Sequence, residues 1–107
     1  MNPAYRYRAT VDRWVDADTV DLLVDLGFRV FVHLRVRLAR VDAPERAEPA
    51  HAAALAHVSG LAPAGAAVLL SSQQGDRYGR WIGEIETAEG VNLSSELLRL
   101  GLARVYA

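Results

Sequence analysis

A small α+β domain, mainly β and built of antiparallel strands, is the fold class this sequence predicts. Three observations predict it. Val30, Val32, Leu34, Val36 and Leu38 alternate with Arg29, Phe31, His33, Arg35 and Arg37, and a period of two marks a strand with one face in the core. Further short runs of β-branched and aromatic residues are punctuated by turn formers. Two stretches carry helical features instead: an Ala-rich run after Pro49, and Leu93, Leu97 and Leu100 along one face.

Taken in order, Tyr5 to Val15 alternates loosely and reads as a first strand. Asp16-Ala17 makes a tight turn, Thr19 to Leu26 a second strand, and Gly27 the next reversal. The third strand is the alternating one, with a core face and a cationic face. A helix starts near Pro49, which suits a first helical position, and runs to about Ser59, ended by Gly60 and Pro63. Ala66 to Ser71 is apolar and strand-like, Gln73 to Gly79 a polar turn, and Trp81 to Glu86 a further strand. Asn92 is a good N-cap for the last helix, and Gly101 is placed for its C-terminal cap.

The 107 residues suit one domain, spanning 1–107, with a core of its own. Hydrophobic residues make up 51% and charged ones 23%, a balance that excludes a disordered chain. The absence of cysteine excludes a disulfide scaffold and a thiolate metal site. No apolar signal segment is visible near Met1, so a cytoplasmic monomer is expected if the chain is the natural full length. The most apolar stretch, Ala50 to Leu70, is broken by His51, His57, Pro63 and Gly65 and is no membrane span. A net charge of −1 argues against a non-specific nucleic-acid coat. Every cationic side chain is arginine, and Arg35, Arg37, Arg40 and Arg46 leave room for one positive patch.

That cluster lies in the most informative stretch, Val36 to Arg46. An alternating strand runs into a turn stiffened by Pro44, which fixes its own φ and pushes Ala43 toward an extended conformation. Asp42 and Glu45 flank the proline. Two carboxylates on a rigid turn at a strand end make a plausible place for a hard cation, which prefers oxygen ligands. Taken singly, these residues have plainer readings. Asp18 reads as a turn cap, Asp42 as a turn former, and Arg80 as an exposed charge. Tyr78 reads as half-buried packing, and His33, His51 and His57 as surface or packing residues.

Read together, the motifs resemble a known family. Arg37-Leu38-Ala39-Arg40-Val41-Asp42-Ala43-Pro44-Glu45 is similar to the active-site strand and turn of the staphylococcal nuclease (thermonuclease) family. Val15-Asp16-Ala17-Asp18-Thr19-Val20, Asp76-Arg77-Tyr78-Gly79-Arg80 and Val91-Asn92 with Gly101-Leu102-Ala103 match it in the same order. The resemblance implies a five-stranded Greek-key barrel of the OB-fold type with two or so packed helices. It implies a Ca²⁺-dependent nuclease that cuts DNA or RNA and leaves 3′-phosphate ends. Asp18 and Asp42 then match the carboxylates that hold the metal, with the Ala43 carbonyl completing the protein ligands. Glu45 matches the residue that activates or orients the water. Arg37 and Arg80 match the arginines that grip the phosphate, and Arg77 and Tyr78 the neighbours of a terminal phosphate.

The chain departs from the family pattern in three places. Ala17 stands where the family turn has glycine, and a position needing φ > 0 would cost a residue with a Cβ about 1–2 kcal/mol. The segment from Glu45 to Arg80 is shorter, and the sequence stops before the final helix and its base-stacking tyrosines. Weaker substrate binding and lower stability are the expectations from these differences. The alternatives to an enzyme are a weak or inactive nucleic-acid-binding module and a structural domain.

Overall fold

The computed structural model of the chain describes residues 5–75 and 79–106. Its elements are β1 (Tyr5–Asp16), β2 (Thr19–Asp25), β3 (Phe31–Leu38), β4 (Val41–Asp42), α1 (His51–Leu61), β5 (Ala67–Gly75), β6 (Trp81–Thr87), α2 (Leu93–Arg99) and β7 (Arg104–Val105). Five strands close into a barrel in the order β1-β2-β3-β6-β5, with β5 returning to pair with β1. This is the OB-type barrel expected. Closure pairs each of the five strands with two neighbours, which removes most of the open sheet edge.

One pairing departs from the antiparallel expectation. β3 and β6 run parallel, with Val36, Arg37 and Leu38 opposite Trp81, Ile82 and Gly83. Parallel neighbours need a crossover, and the connection through β4, α1 and β5 supplies it. β1 serves two partners, pairing with β5 over Tyr5 to Thr10 and with β2 over Ala9 to Asp16. Register shifts between Val11 and Arg13, and between Trp14 and Asp16, bend it to do so.

Alternation fills the barrel with Val11, Val20, Leu22, Val24, Val36, Leu38, Leu70 and Ile85, all buried. On β3 the rule weakens toward the start: Val32 and Leu34 are only half-buried and Val30 is exposed. The reason is that β3 meets β6 only from Val36 onward. Gly83 leaves no room for a side chain where β6 crosses β5. A Cβ there would stand 2.7 Å from Leu70 Cδ1 and 2.9 Å from the Ser71 carbonyl oxygen.

The helices add Ala54, Val58, Leu93 and Leu97 to the same core. α1 begins later than Pro49 and passes through Gly60, ending at Leu61 with the Ala62 N–H donating to Val58 O. A glycine inside a helix costs about 1 kcal/mol; the burial of Ala54, Val58 and Ala62 outweighs it. Trp14 Nε1 fastens this end by donating to Ala62 O at 2.8 Å. α2 is capped as expected: the Asn92 side chain accepts from Ser95 N–H at 3.0 Å. Gly101 has φ +68°, and Leu102 N–H donates back to Leu97 O at 2.9 Å. Leu100, placed on the apolar face by its spacing, is the C-cap residue and 41% exposed. None of the described helices is long and apolar enough to cross a membrane.

β4 and β7 form a separate antiparallel pair outside the barrel, Val41 opposite Val105 and Asp42 opposite Arg104. Both are too short to announce themselves by alternation. They lash the end of the chain to the Val36–Arg46 stretch.

Candidate active site

Thr19 pairs with Arg37 across β2 and β3, so the turn carrying Asp18 lies against the end of β3. Leu38 N–H donates to Asp18 O at 2.8 Å. The Asp18 side chain is buried, its Oδ1 accepting from the Thr19 hydroxyl and its Oδ2 from Ala43 N–H, each at 3.0 Å. The expected strain at Ala17 is absent. Its φ is not positive; among the described non-glycine residues only Phe28, Arg29 and Arg40 have positive φ. The neighbouring irregularity in β1 lets the chain reverse, and the Ala17 methyl is fully buried in the core.

Arg37 leaves β3 and reaches between two carboxylates. Its Nη1 donates to Val41 O at 3.0 Å; its Nη2 lies 3.4 Å from Asp42 Oδ1 and 3.6 Å from Asp18 Oδ2. The Arg37 side chain is 11% exposed, whereas Asp42 is 45% exposed. Tyr106 places its ring 4.6 Å from the guanidinium carbon. Asp18, Arg37, Asp42 and Ala43 thus come together as one constellation. Asp18 and Asp42 converge on one nitrogen of Arg37. Carboxylate oxygens are the kind of donor a hard and largely hydrated cation prefers. Among the described residues no group of three or more His, Asp and Glu side chains stands ready for a metal, so protein ligands would be few.

Glu45 lies beyond Pro44 on an exposed turn. Glu48 pins that turn: Glu45 N–H donates to Glu48 Oε1 at 3.0 Å, and Glu48 N–H to Glu45 O at 2.9 Å. A cleft of about 300 Å³ borders it, lined by Asp42, Pro44, Glu48, Leu102 and Arg104 among others. Arg80 is half-buried at the entry to β6. It directly precedes Trp81 and Ile82, the residues that pair with Val36 and Arg37 of β3. Arg77 and Tyr78 lie outside the described residues.

The positive patch does not form. Arg35 pairs with Asp21 at 2.7 Å, Arg40 with Glu84 at 2.8 Å and Arg46 with Asp16 at 3.4 Å. Arg40 takes a left-handed φ of +71° to turn the chain into β4. Its guanidinium then reaches Glu84 and the Ser95 hydroxyl, the latter at 2.9 Å. Burial alone would raise the Glu84 pKa; hydrogen bonds from Arg40 and Asn92, with the Arg40 charge, outweigh it and hold the group below its ordinary value. Asp21 is likewise held low by its bond from Arg35, against some burial and with help from Arg13.

A family model described as staphylococcal nuclease homologue matches residues 35–107, which include Arg37, Asp42, Glu45 and Arg80. The chain belongs to that family. Two curated relatives, from Escherichia coli O157:H7 and Escherichia coli, are each described as an uncharacterized endonuclease. Each is 31% identical over 96 residues, covering 90% of this chain and 59% of the relative. A third, Protein ParB of Escherichia coli, is 30% identical over 114 residues, covering 98% of this chain and 61% of its own length. The chain thus spans about three fifths of the curated relatives it matches.

Within this staphylococcal nuclease homologue, three groups around the site go beyond the motifs. Tyr106 arrives only through the pairing of β4 with β7. The Val41 carbonyl is a backbone group, which no residue pattern marks. Glu48 could have been suspected from its place three residues after Glu45, the separation at which a side chain reaches back to a turn's N–H.

Proposed function

We propose that this domain is a Ca²⁺-dependent nuclease that hydrolyses phosphodiester bonds of DNA, RNA or both and leaves 3′-phosphate ends. The observation that carries the reading is Arg37, held with one nitrogen between Asp18 and Asp42. Membership of the family and the relatives described as endonucleases support it.

In this reading Asp18, Asp42 and the Ala43 carbonyl hold Ca²⁺. When bound, the ion would screen the phosphate and polarise it toward attack. Arg37 and Arg80 grip the non-bridging phosphate oxygens, since a guanidinium fork meets two oxygens at once. Their hold strengthens as negative charge gathers on those oxygens, and this difference lowers the barrier. Glu45 takes a proton from the attacking water while the water oxygen bonds to phosphorus and the bond to the 5′ oxygen breaks, that oxygen leaving as a hydroxyl with a proton from solvent. The exposed turn leaves Glu45 open to that water. Arg77 and Tyr78 serve a neighbouring phosphate.

The test is cleavage of single-stranded DNA and of RNA in Ca²⁺, with a chelator control and analysis of the product ends. Fragments bearing 3′-phosphates, formed in Ca²⁺ and not in chelator, are expected. Binding without cleavage in any divalent ion would replace the nuclease reading with that of a binding module.

A further inference from the structure

The ion pairs of Arg37 are longer than those of its neighbours. Its nitrogen lies 3.4 Å and 3.6 Å from the Asp42 and Asp18 oxygens, whereas Arg35 and Arg40 meet their carboxylates at 2.7 Å and 2.8 Å. Charge-assisted bonds are ordinarily about 2.7–2.9 Å, so the two aspartates attract Arg37 without fixing its place. Two other groups fix it. The Val41 carbonyl accepts from Nη1 at 3.0 Å, and the guanidinium carbon lies over the Tyr106 ring, 4.6 Å from its centroid.

The backbone holds that ring. Tyr106 N–H donates to Arg40 O at 2.8 Å, and the preceding Val105 pairs with Val41. The segment that carries the ring is therefore tied to the same turn that supplies the Val41 carbonyl. Tyr106 itself is 55% exposed, so its ring forms an outer wall over Arg37 and fills no core space.

From this geometry we propose that Tyr106 is a positioning residue, which sets the plane of the Arg37 fork so that its donors face the Asp18–Asp42 side. The inference rests on the reading of Arg37 as a phosphate-gripping group. An aromatic face attracts a guanidinium and leaves its in-plane N–H donors free for an anion. A carboxylate in the same place would occupy those donors. The hydroxyl of Tyr106 plays no part, so phenylalanine should replace it and leucine should not.

The test uses the whole chain and two readouts. In nuclear magnetic resonance, the Arg37 Nε proton should be displaced upfield by the ring in the wild type and in Tyr106→Phe. In Tyr106→Leu it should return to the ordinary arginine position. The second readout is calorimetric binding of a short 3′-phosphorylated single-stranded DNA in Ca²⁺. Tyr106→Phe should bind like wild type, and Tyr106→Leu about three- to tenfold more weakly, the range of an aromatic–cation contact. Added to Arg37→Met, Tyr106→Leu should bring no further loss. An Arg37 resonance that is the same in wild type and Tyr106→Leu would overturn the proposal. So would an equal loss of affinity from Tyr106→Leu whether or not Arg37 is present, because Tyr106 would then act on the DNA directly. If Arg37→Met binds the DNA as well as wild type, the phosphate-gripping reading of Arg37 fails. A ring-displaced resonance that is lost in Tyr106→Leu would still uphold the hold of Tyr106 on the fork.

Discussion

The backbone N–H of Ala43 donates to Oδ2 of Asp18 at 3.0 Å, joining the β1–β2 turn to the segment after β4 through a buried carboxylate. This bond separates two residues that would otherwise be equivalent. Asp18 has a structural duty as well as its place beside Arg37. Asp42 is half-exposed, and its Oδ1 meets the Arg37 guanidinium at 3.4 Å.

The two should therefore part company on mutation. Asp18→Ala strands the Ala43 N–H and the Thr19 hydroxyl, and an orphaned buried donor costs about 1–3 kcal/mol. Urea unfolding in chelator should reveal a loss of that order for Asp18→Ala and less than about 1 kcal/mol for Asp42→Ala, as for partly exposed ion pairs. Calorimetric heat of Ca²⁺ binding should vanish in both. Equal stability losses would mean that the Asp18 bonds contribute nothing particular.

Ala17 is fully buried without a positive φ, so glycine offers it no relief. Ala17→Gly should destabilise the domain by about 1–2 kcal/mol, combining a lost buried methyl with a more flexible unfolded chain. Ca²⁺ affinity should not improve. Tighter Ca²⁺ binding in the glycine variant would show that the turn is strained after all.

Glu84 supplies a pH dependence. Its pKa in the folded chain lies below the ordinary 4.5, so the unfolded chain takes up the proton first as acid is added. The stability from Glu84 is thus complete above the ordinary value and is lost as pH falls through the lower folded one. Urea midpoints measured between about pH 3 and pH 7 should fall with acid less steeply in Glu84→Gln than in wild type. Parallel profiles would contradict this origin of the acid sensitivity.

Much of this fold is local and could be read from the sequence. The period-two run of β3, the Asn92 cap and the reversal at Gly101 follow from patterns a few residues long. The gathering of Asp18, Arg37 and Asp42 was legible through family motifs, and its register is the plain consequence of Thr19 pairing with Arg37. What stayed hidden depends on distant partners. β4 and β7 have two residues each and exist because they meet one another. Gly60 remains helical because its neighbours are buried, against its own propensity. Analogy with a glycine predicts strain at Ala17, but an irregularity in β1 turns the chain beside it. Tyr106 combines these difficulties, since only the finished β4–β7 pair carries it to Arg37.

The central claim is that Glu45 serves the water while Asp18, Asp42 and Arg37 serve the metal and the phosphate. Glu45→Gln keeps the side-chain shape on its exposed turn and removes the proton-accepting charge. The decisive measurement compares wild type and Glu45→Gln for both cleavage rate and affinity on one single-stranded DNA in Ca²⁺. The expected rate is lower by about 10²–10³, within the range of general-base catalysis, with DNA and Ca²⁺ affinities little changed. Cleavage at the wild-type rate, or a fall in rate matched by an equal fall in affinity, would contradict it.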